Sequence, residues 1–178
     1  STAGVIFTGG DPTVGQDNYV GGFDFNYRNT SFEGDQVLLG NAYVLMSETS
    51  DDETGRDWAG GWRIRRPNDV ISWSVGMSRI GENYDAALGF NPRVGIYEYF
   101  GNWRYRWRPD LDWLRSVDSE VSGYLVTDLD GDLESMDLEW EVLQFATERG
   151  DYLAFEYARR GEVPSRGFST AGGQLQID

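Results

Sequence analysis

The sequence predicts an all-β protein, an antiparallel up-and-down meander of about nine strands. Three observations carry that prediction. Large apolar residues alternate with polar ones at period two along nearly the whole chain. Aromatics make up 15% of the 178 residues and glycine contributes 23. No run of about 18 apolar residues offers a spanning helix, and no segment carries a convincing helical period. The length fits one domain, residues 1–178.

Each element follows from its alternation. The opening STAGVIFTGGDP supplies the apolar run Val5, Ile6 and Phe7. NYVGGFDFNYR (18–28) sets Tyr19, Gly21, Phe23, Phe25 and Tyr27 against Val20, Gly22, Asp24 and Asn26. QVLLGNAYVLM (36–46) is apolar on both faces apart from Gln36 and Asn41. DWAGGWRIRR (57–66) sets Trp58, Gly60, Trp62 and Ile64 against Ala59, Gly61, Arg63 and Arg65. VISWSVGMS (70–78) opposes Ile71, Trp73, Val75 and Met77 to Ser72, Ser74, Gly76 and Ser78.

YEYFGNWRYRWR (97–108) continues the pattern, with Trp103, Tyr105 and Trp107 on one side and Arg104, Arg106 and Arg108 on the other. WLRSVDSEVSGYLV (113–126) alternates less cleanly, Val117, Val121 and Leu125 opposing Asp118, Glu120 and Ser122. MDLEWEV (136–142) sets Met136, Leu138, Trp140 and Val142 against Asp137, Glu139 and Glu141. YLAFEYA (152–158) sets Leu153, Phe155 and Tyr157 against Ala154 and Glu156.

The connections predict two unlike ends. The first (GGDPTVGQD), third (SETSDDETGRD) and fifth (RIGENYDAALGFNPRVG) read as long loops; RPND, RPDLD and ERGD read as tight turns. In a meander, odd and even connections lie at opposite ends, as in transmembrane barrels. The seventh, DLDGD, is short and breaks the rule.

A strand with one aromatic and one cationic face fits two solutions. A soluble sandwich or barrel would pack the rings into its core and bind an apolar or carbohydrate ligand on its aromatic surface. A membrane barrel would turn Trp58, Trp62, Trp73, Trp103, Tyr105, Trp107 and Trp140 to lipid. Its charged wall would then be Arg63, Arg65, Arg104, Arg106, Arg108, Asp118, Glu120, Glu139 and Glu141, facing a wet lumen. Strands of about ten residues, aromatics near strand ends, and opposite charges on neighbouring strands favour the barrel.

Composition removes several functions. With 30 acidic against 15 basic residues the formal charge is −15, so nucleic acid is not an expected partner. Cysteine and histidine are absent, which removes thiolate nucleophiles, disulfides and imidazole bases. The chain opens without Met or a basic targeting segment, and its abrupt apolar start reads as an excised piece.

LGFNPRVGIYEYFGNWRYRWRPD resembles the FNPEVGF segment and following Arg-rich strand of a group of uncharacterised bacterial proteins. These join a sandwich resembling family 9 carbohydrate-binding modules to a C-terminal outer-membrane barrel. VSGYLVTDLDGDLESMDLEWEVLQFATERGDYLAFEYARRGE is similar to the final hairpins of that barrel, and GVIFTGGDP…NYVGGFDFNYR to other strands of it. The resemblance spans most of the chain and implies an outer-membrane location, with lipid or lipopolysaccharide as partner. It transfers no catalytic residue. The sandwich is missing and the chain ends QLQID instead of on a terminal aromatic, so the resemblance implies a barrel fragment. Its strand edges invite self-association.

Candidate sites are few. Asp128, Asp130, Asp132 and Glu134 superficially resemble a calcium loop, but the offsets are wrong for an EF-hand and a plain hairpin turn is expected. Glu48, Asp51, Asp52, Glu53 and Asp57 read as a solvated acidic loop. Glu139 and Glu141 stand two apart on one strand face, a wall lining more than an acid and nucleophile flanking a substrate. No enzyme activity, metal or cofactor is expected. The arginine ladder 104/106/108 is the chief functional feature, either part of an anion-attracting eyelet or a set of cross-strand pairs that stiffens the wall.

Overall fold

The computed structural model describes residues 1–13, 16–50, 55–86 and 93–162. Nine strands follow one another: β1 (Thr2–Thr13), β2 (Gln16–Phe32), β3 (Gln36–Thr49), β4 (Arg56–Arg66), β5 (Ile71–Ile80), β6 (Ile96–Trp107), β7 (Leu114–Asp128), β8 (Leu133–Thr147) and β9 (Tyr152–Glu162). All belong to one sheet in chain order, and every ladder is antiparallel. No helix occurs among the described residues.

Among the described residues, β1 pairs only with β2 and β9 only with β8. Nine alternating strands leave β1 and β9 running in the same direction, so these two can meet only in a parallel ladder. Every residue of β9 is exposed, as expected for an edge.

The register aligns like with like. Phe25, Ala42, Trp62, Met77, Tyr99, Leu125 and Met136 form one unbroken apolar row across seven strands. On the other face Asn26, Asn41, Arg63, Gly76, Phe100, Tyr124, Asp137 and Arg160 form a mixed row across eight. A slip of one residue would exchange the two faces, so the alternation itself pins the register.

Curvature separates the faces. Asn18, Val20, Ser47, Ala59, Ser74, Ser78, Ile96, Asp118 and Val126 are buried, and all project from the polar face. Leu114 and Thr127, also buried, sit at register shifts in the β7–β8 ladder. Most of the large apolar side chains of the other face stay exposed, and none of those in its strands other than Leu114 is buried. A single-layer sheet can shelter one face only by curling over it, so the polar face is the concave one.

Glycines on the concave face make room for bulky neighbours. Phe100 lies opposite Gly76, Tyr43 opposite Gly61 and Leu45 opposite Gly22. A Cβ at Gly76 would stand 2.6 Å from the Phe100 ring and 2.5 Å from the Trp62 carbonyl oxygen. The ring thus covers backbone that the glycine leaves bare.

The strands are longer than the alternation predicts, from 10 residues in β5 to 17 in β2. The expected long first connection is a correction: β1 continues to Thr13 and β2 resumes at Gln16, so most of GGDPTVGQD is strand. Pairing carries through Gly9 and Gly10, past a register shift between Gly10 and Thr13. The fifth connection is the long one, between Ile80 and Ile96.

Candidate functional site: the concave charged face

β6 and β7 place the arginine ladder against acid. Arg106 Nε donates to Asp118 Oδ1 at 2.5 Å, and Ser116 Oγ donates to the second oxygen at 2.9 Å. Arg104 stands opposite Glu120, although its buried Nε has no hydrogen-bond partner among the described residues. Arg108 lies beyond the end of β6, in the connection after it. It forms a bidentate pair with Asp69 of the β4–β5 turn, where Arg106 Nη1 also reaches Asp69 Oδ1 at 3.4 Å. Hydrogen bonding from Arg108 holds the Asp69 carboxyl below the usual carboxylate range. Two of the three ladder arginines are therefore neutralised by carboxylates, Arg106 on β6 and Arg108 in the connection that follows it.

The remaining charges divide by position. On β4, Arg63 Nη2 donates to Ser74 Oγ at 3.1 Å, and its guanidinium stands 5.3 Å from the Phe100 ring centroid. Neither Arg63 nor Arg65 has a carboxylate partner among the described residues. At the opposite side, Arg160 of β9 pairs with Asp137 at 3.2 Å and Glu139 at 2.5 Å. Glu141 lies opposite Glu120 on one side and Glu156 on the other, a row of like charges that a packed sheet would disfavour. On β2–β4 the concave face gathers Arg28, Arg63 and Arg65 toward one end, with Asp24 and Asp57 further along the same strands; paired charges follow at β6–β7, and carboxylates predominate at β8–β9.

The start of the long fifth connection folds over one end of this face, a feature with no periodic signal in the sequence. Asp85 N donates to Ser47 Oγ at 3.0 Å, and Asn18 Nδ2 donates to the Asp85 carbonyl at 3.2 Å. Asn83 N donates to Asp57 Oδ2 at 3.1 Å, and Gly81 N to the Trp58 carbonyl at 3.0 Å. Tyr84, between the anchored Asn83 and Asp85, is buried, which pushes its phenol pKa up.

The convex face carries the predicted aromatics. Trp58, Trp62, Trp103, Tyr105, Trp107 and Trp140 are all exposed, between 39% and 52%. Trp73 is half-buried and lies opposite Trp103. Trp103 stacks with Tyr105 at 6.4 Å, and Arg79 stands 4.2 Å from the Trp58 ring centroid. Trp62 and Trp140 sit mid-strand, away from the ends where the sequence pattern places most aromatics. Gly101 and Gly123 face each other on β6 and β7. They help to shape a groove of about 490 Å³ walled by Trp62, Met77, Tyr99, Leu125 and Leu138.

The acidic TDLDGDLE segment is a hairpin turn. Asp128 Oδ1 accepts from the amides of Asp130 at 3.0 Å and Asp132 at 2.8 Å, and Gly131 takes a positive φ of 95°. Of the acidic loop, Asp51, Asp52 and Glu53 lie outside the described residues. Asp57 is engaged by Arg79 at 3.3 Å. No group of three or more acidic side chains is arranged to hold a metal ion among the described residues.

No family model, curated protein or solved structure matches the chain.

Proposed function

We propose that this chain forms part of the wall of a bacterial outer-membrane β-barrel, porin-like or a surface scaffold in role, and non-catalytic. The observation that carries the reading is the orientation of the curl. Most tryptophan, tyrosine and aliphatic side chains of the convex side stand exposed, while the concave side carries the buried Asp118 and the half-buried Arg104, Arg106, Glu120, Glu139 and Glu141. Leaving that much apolar surface in water is costly at about 25 cal/mol per Å², and in hydrocarbon the cost vanishes. Every strand has at least ten residues, enough to cross a bilayer when tilted. The resemblance of LGFNPRVGIYEYFGNWRYRWRPD to a barrel region points the same way, with lipid or lipopolysaccharide as the surrounding partner.

Non-catalysis is supported by the state of the carboxylates. Glu139 is held by Arg160, and Glu141 faces Glu120 and Glu156 in a row along one sheet face. Extraction tests the reading. A barrel needs detergent to leave the membrane fraction and migrates differently on gels before and after boiling. Monodisperse protein in plain buffer, with no heat-dependent mobility, would overturn it.

The groove beside Gly101 and Gly123 favours a second reading, a soluble curled sheet that binds an apolar ligand on its convex side. That protein would pass the buffer test and would take up an apolar fluorophore in the groove. Trp62→Ala would then weaken the uptake.

A further inference from the structure

We infer that the basic end of the concave face is a binding site for a phosphate monoester, built from Arg28 and Arg65. Of the arginine ladder, Arg106 and Arg108 are consumed by Asp118 and Asp69. Arg28 and Arg65 have no ion pair or hydrogen bond among the described residues, and both line one cavity of about 370 Å³. Their backbone positions bring them together. Arg28 lies opposite Leu39 and Leu39 opposite Arg65, so the two arginines flank one apolar residue on adjacent-but-one strands. That places their Cα atoms about 10 Å apart, within reach of a common ligand for two arginine side chains.

The rest of the lining suits an oxyanion. Thr2, Asn26 and Asn41 add a hydroxyl and two carboxamides to the same cavity. Asn26 spends one Nδ2 donor on Asp24 Oδ1 at 2.7 Å and keeps the other. No carboxylate lines the cavity. Two guanidinium forks match the charge of a phosphate monoester, near −2 at neutral pH, and offer paired donors to its three oxygens. A lone carboxylate would leave one fork unmatched. This inference stands whether or not the convex face meets lipid.

Isothermal titration with glycerol 3-phosphate tests it, on the full chain in whichever of buffer or detergent keeps it dispersed. The expected result is 1:1 binding, weakened about tenfold or more by Arg28→Gln or Arg65→Gln, as for loss of one charge-assisted bidentate contact. The double variant should bind undetectably while its far-UV circular dichroism stays that of a β-sheet. Arg149→Gln, in the exposed β8–β9 turn, should bind like the parent. Should the double variant lose its β signal, Arg28→Lys with Arg65→Lys replaces it; this pair keeps the charge and loses the forks, and weaker binding is expected. Micelles containing phosphatidate distinguish the source of the phosphate. Tighter binding to micelles assigns it to a lipid headgroup and equal binding to a soluble ester, and both carry the proposed chemistry. Absence of binding by the parent, or unchanged binding in either double variant, overturns the site. Protein that binds phosphate in plain buffer would keep this site while removing the membrane reading.

Discussion

Asp118, 4% exposed, is held between two donors, Arg106 Nε from the neighbouring strand and Ser116 Oγ from its own. A carboxylate so enclosed depends on its cation, because removing one partner of a buried pair leaves a desolvated charge. Arg106→Ala is expected to cost roughly 2–3 kcal/mol, below the full buried-pair range, since the arginine is itself partly exposed and Ser116 remains. Arg108→Ala should leave stability nearly unchanged, because its pair with Asp69 stands in solvent. Urea midpoints of the two variants check the contrast. Equal shifts would show that the concave face is as wet as the turn.

The Asp69 turn gives a pH expectation. Its folded pKa is depressed, first by the hydrogen bond from Arg108, so its contribution is present above the unfolded value and lost as pH falls through the folded one. The window therefore lies below about pH 4, the ordinary carboxylate value being about 3.9. Carboxyl-carbon NMR should show Asp69 titrating below the ordinary carboxylate value and returning toward it in Arg108→Ala. High salt should shrink the difference. A normal titration in the parent protein would mean the pair is not formed in solution.

Gly76 makes a steric prediction. Its missing side chain is the space occupied by the Phe100 ring, over which Arg63 is placed. Gly76→Ala forces either the ring or the Trp62 carbonyl to move and should destabilise by about 1–3 kcal/mol, the range for overpacking. Gly10→Ala is the comparison, since no atom of the described residues lies within 4 Å of the Cβ it would add. Thermal or urea unfolding of both variants decides the matter, and equal stability would show that Phe100 does not sit over Gly76.

These residues show what could be read from the sequence and what could not. Period two assigned Trp62, Trp103 and Arg63 to their faces because a strand leaves no other choice. It could not say which face curls inward, since alternation looks the same from both sides. Strand ends were lost where composition mimics loop, as in GGDPTVGQD, because ladder hydrogen bonds come from backbone and tolerate glycine. The partner of Arg108 was hidden because Asp69 sits 39 residues away in a separate turn. The fold-over of Asn83, Tyr84 and Asp85 rests on single hydrogen bonds to Asp57 and Ser47, which carry no pattern. Nothing local to Arg28 shows that Leu39 seats it beside Arg65.

The convex face supplies the last prediction, through its tryptophans. Trp62 and Trp140 are exposed at mid-strand, whereas Trp107 ends β6 and Trp113, 63% exposed, lies in the connection that follows. In a bilayer these positions differ in depth. Variants that keep only one of them, refolded into vesicles of lipids brominated at defined acyl positions, read that depth by fluorescence quenching. Bromines deep in the chain should quench Trp62 and Trp140 more than Trp107 or Trp113, and bromines near the headgroup should reverse the order. Substituting phenylalanine at the other positions keeps the apolar face and should change stability little. Uniformly weak quenching at all four positions would mean that these rings never meet hydrocarbon, and the convex face would then need a protein or small-molecule cover instead.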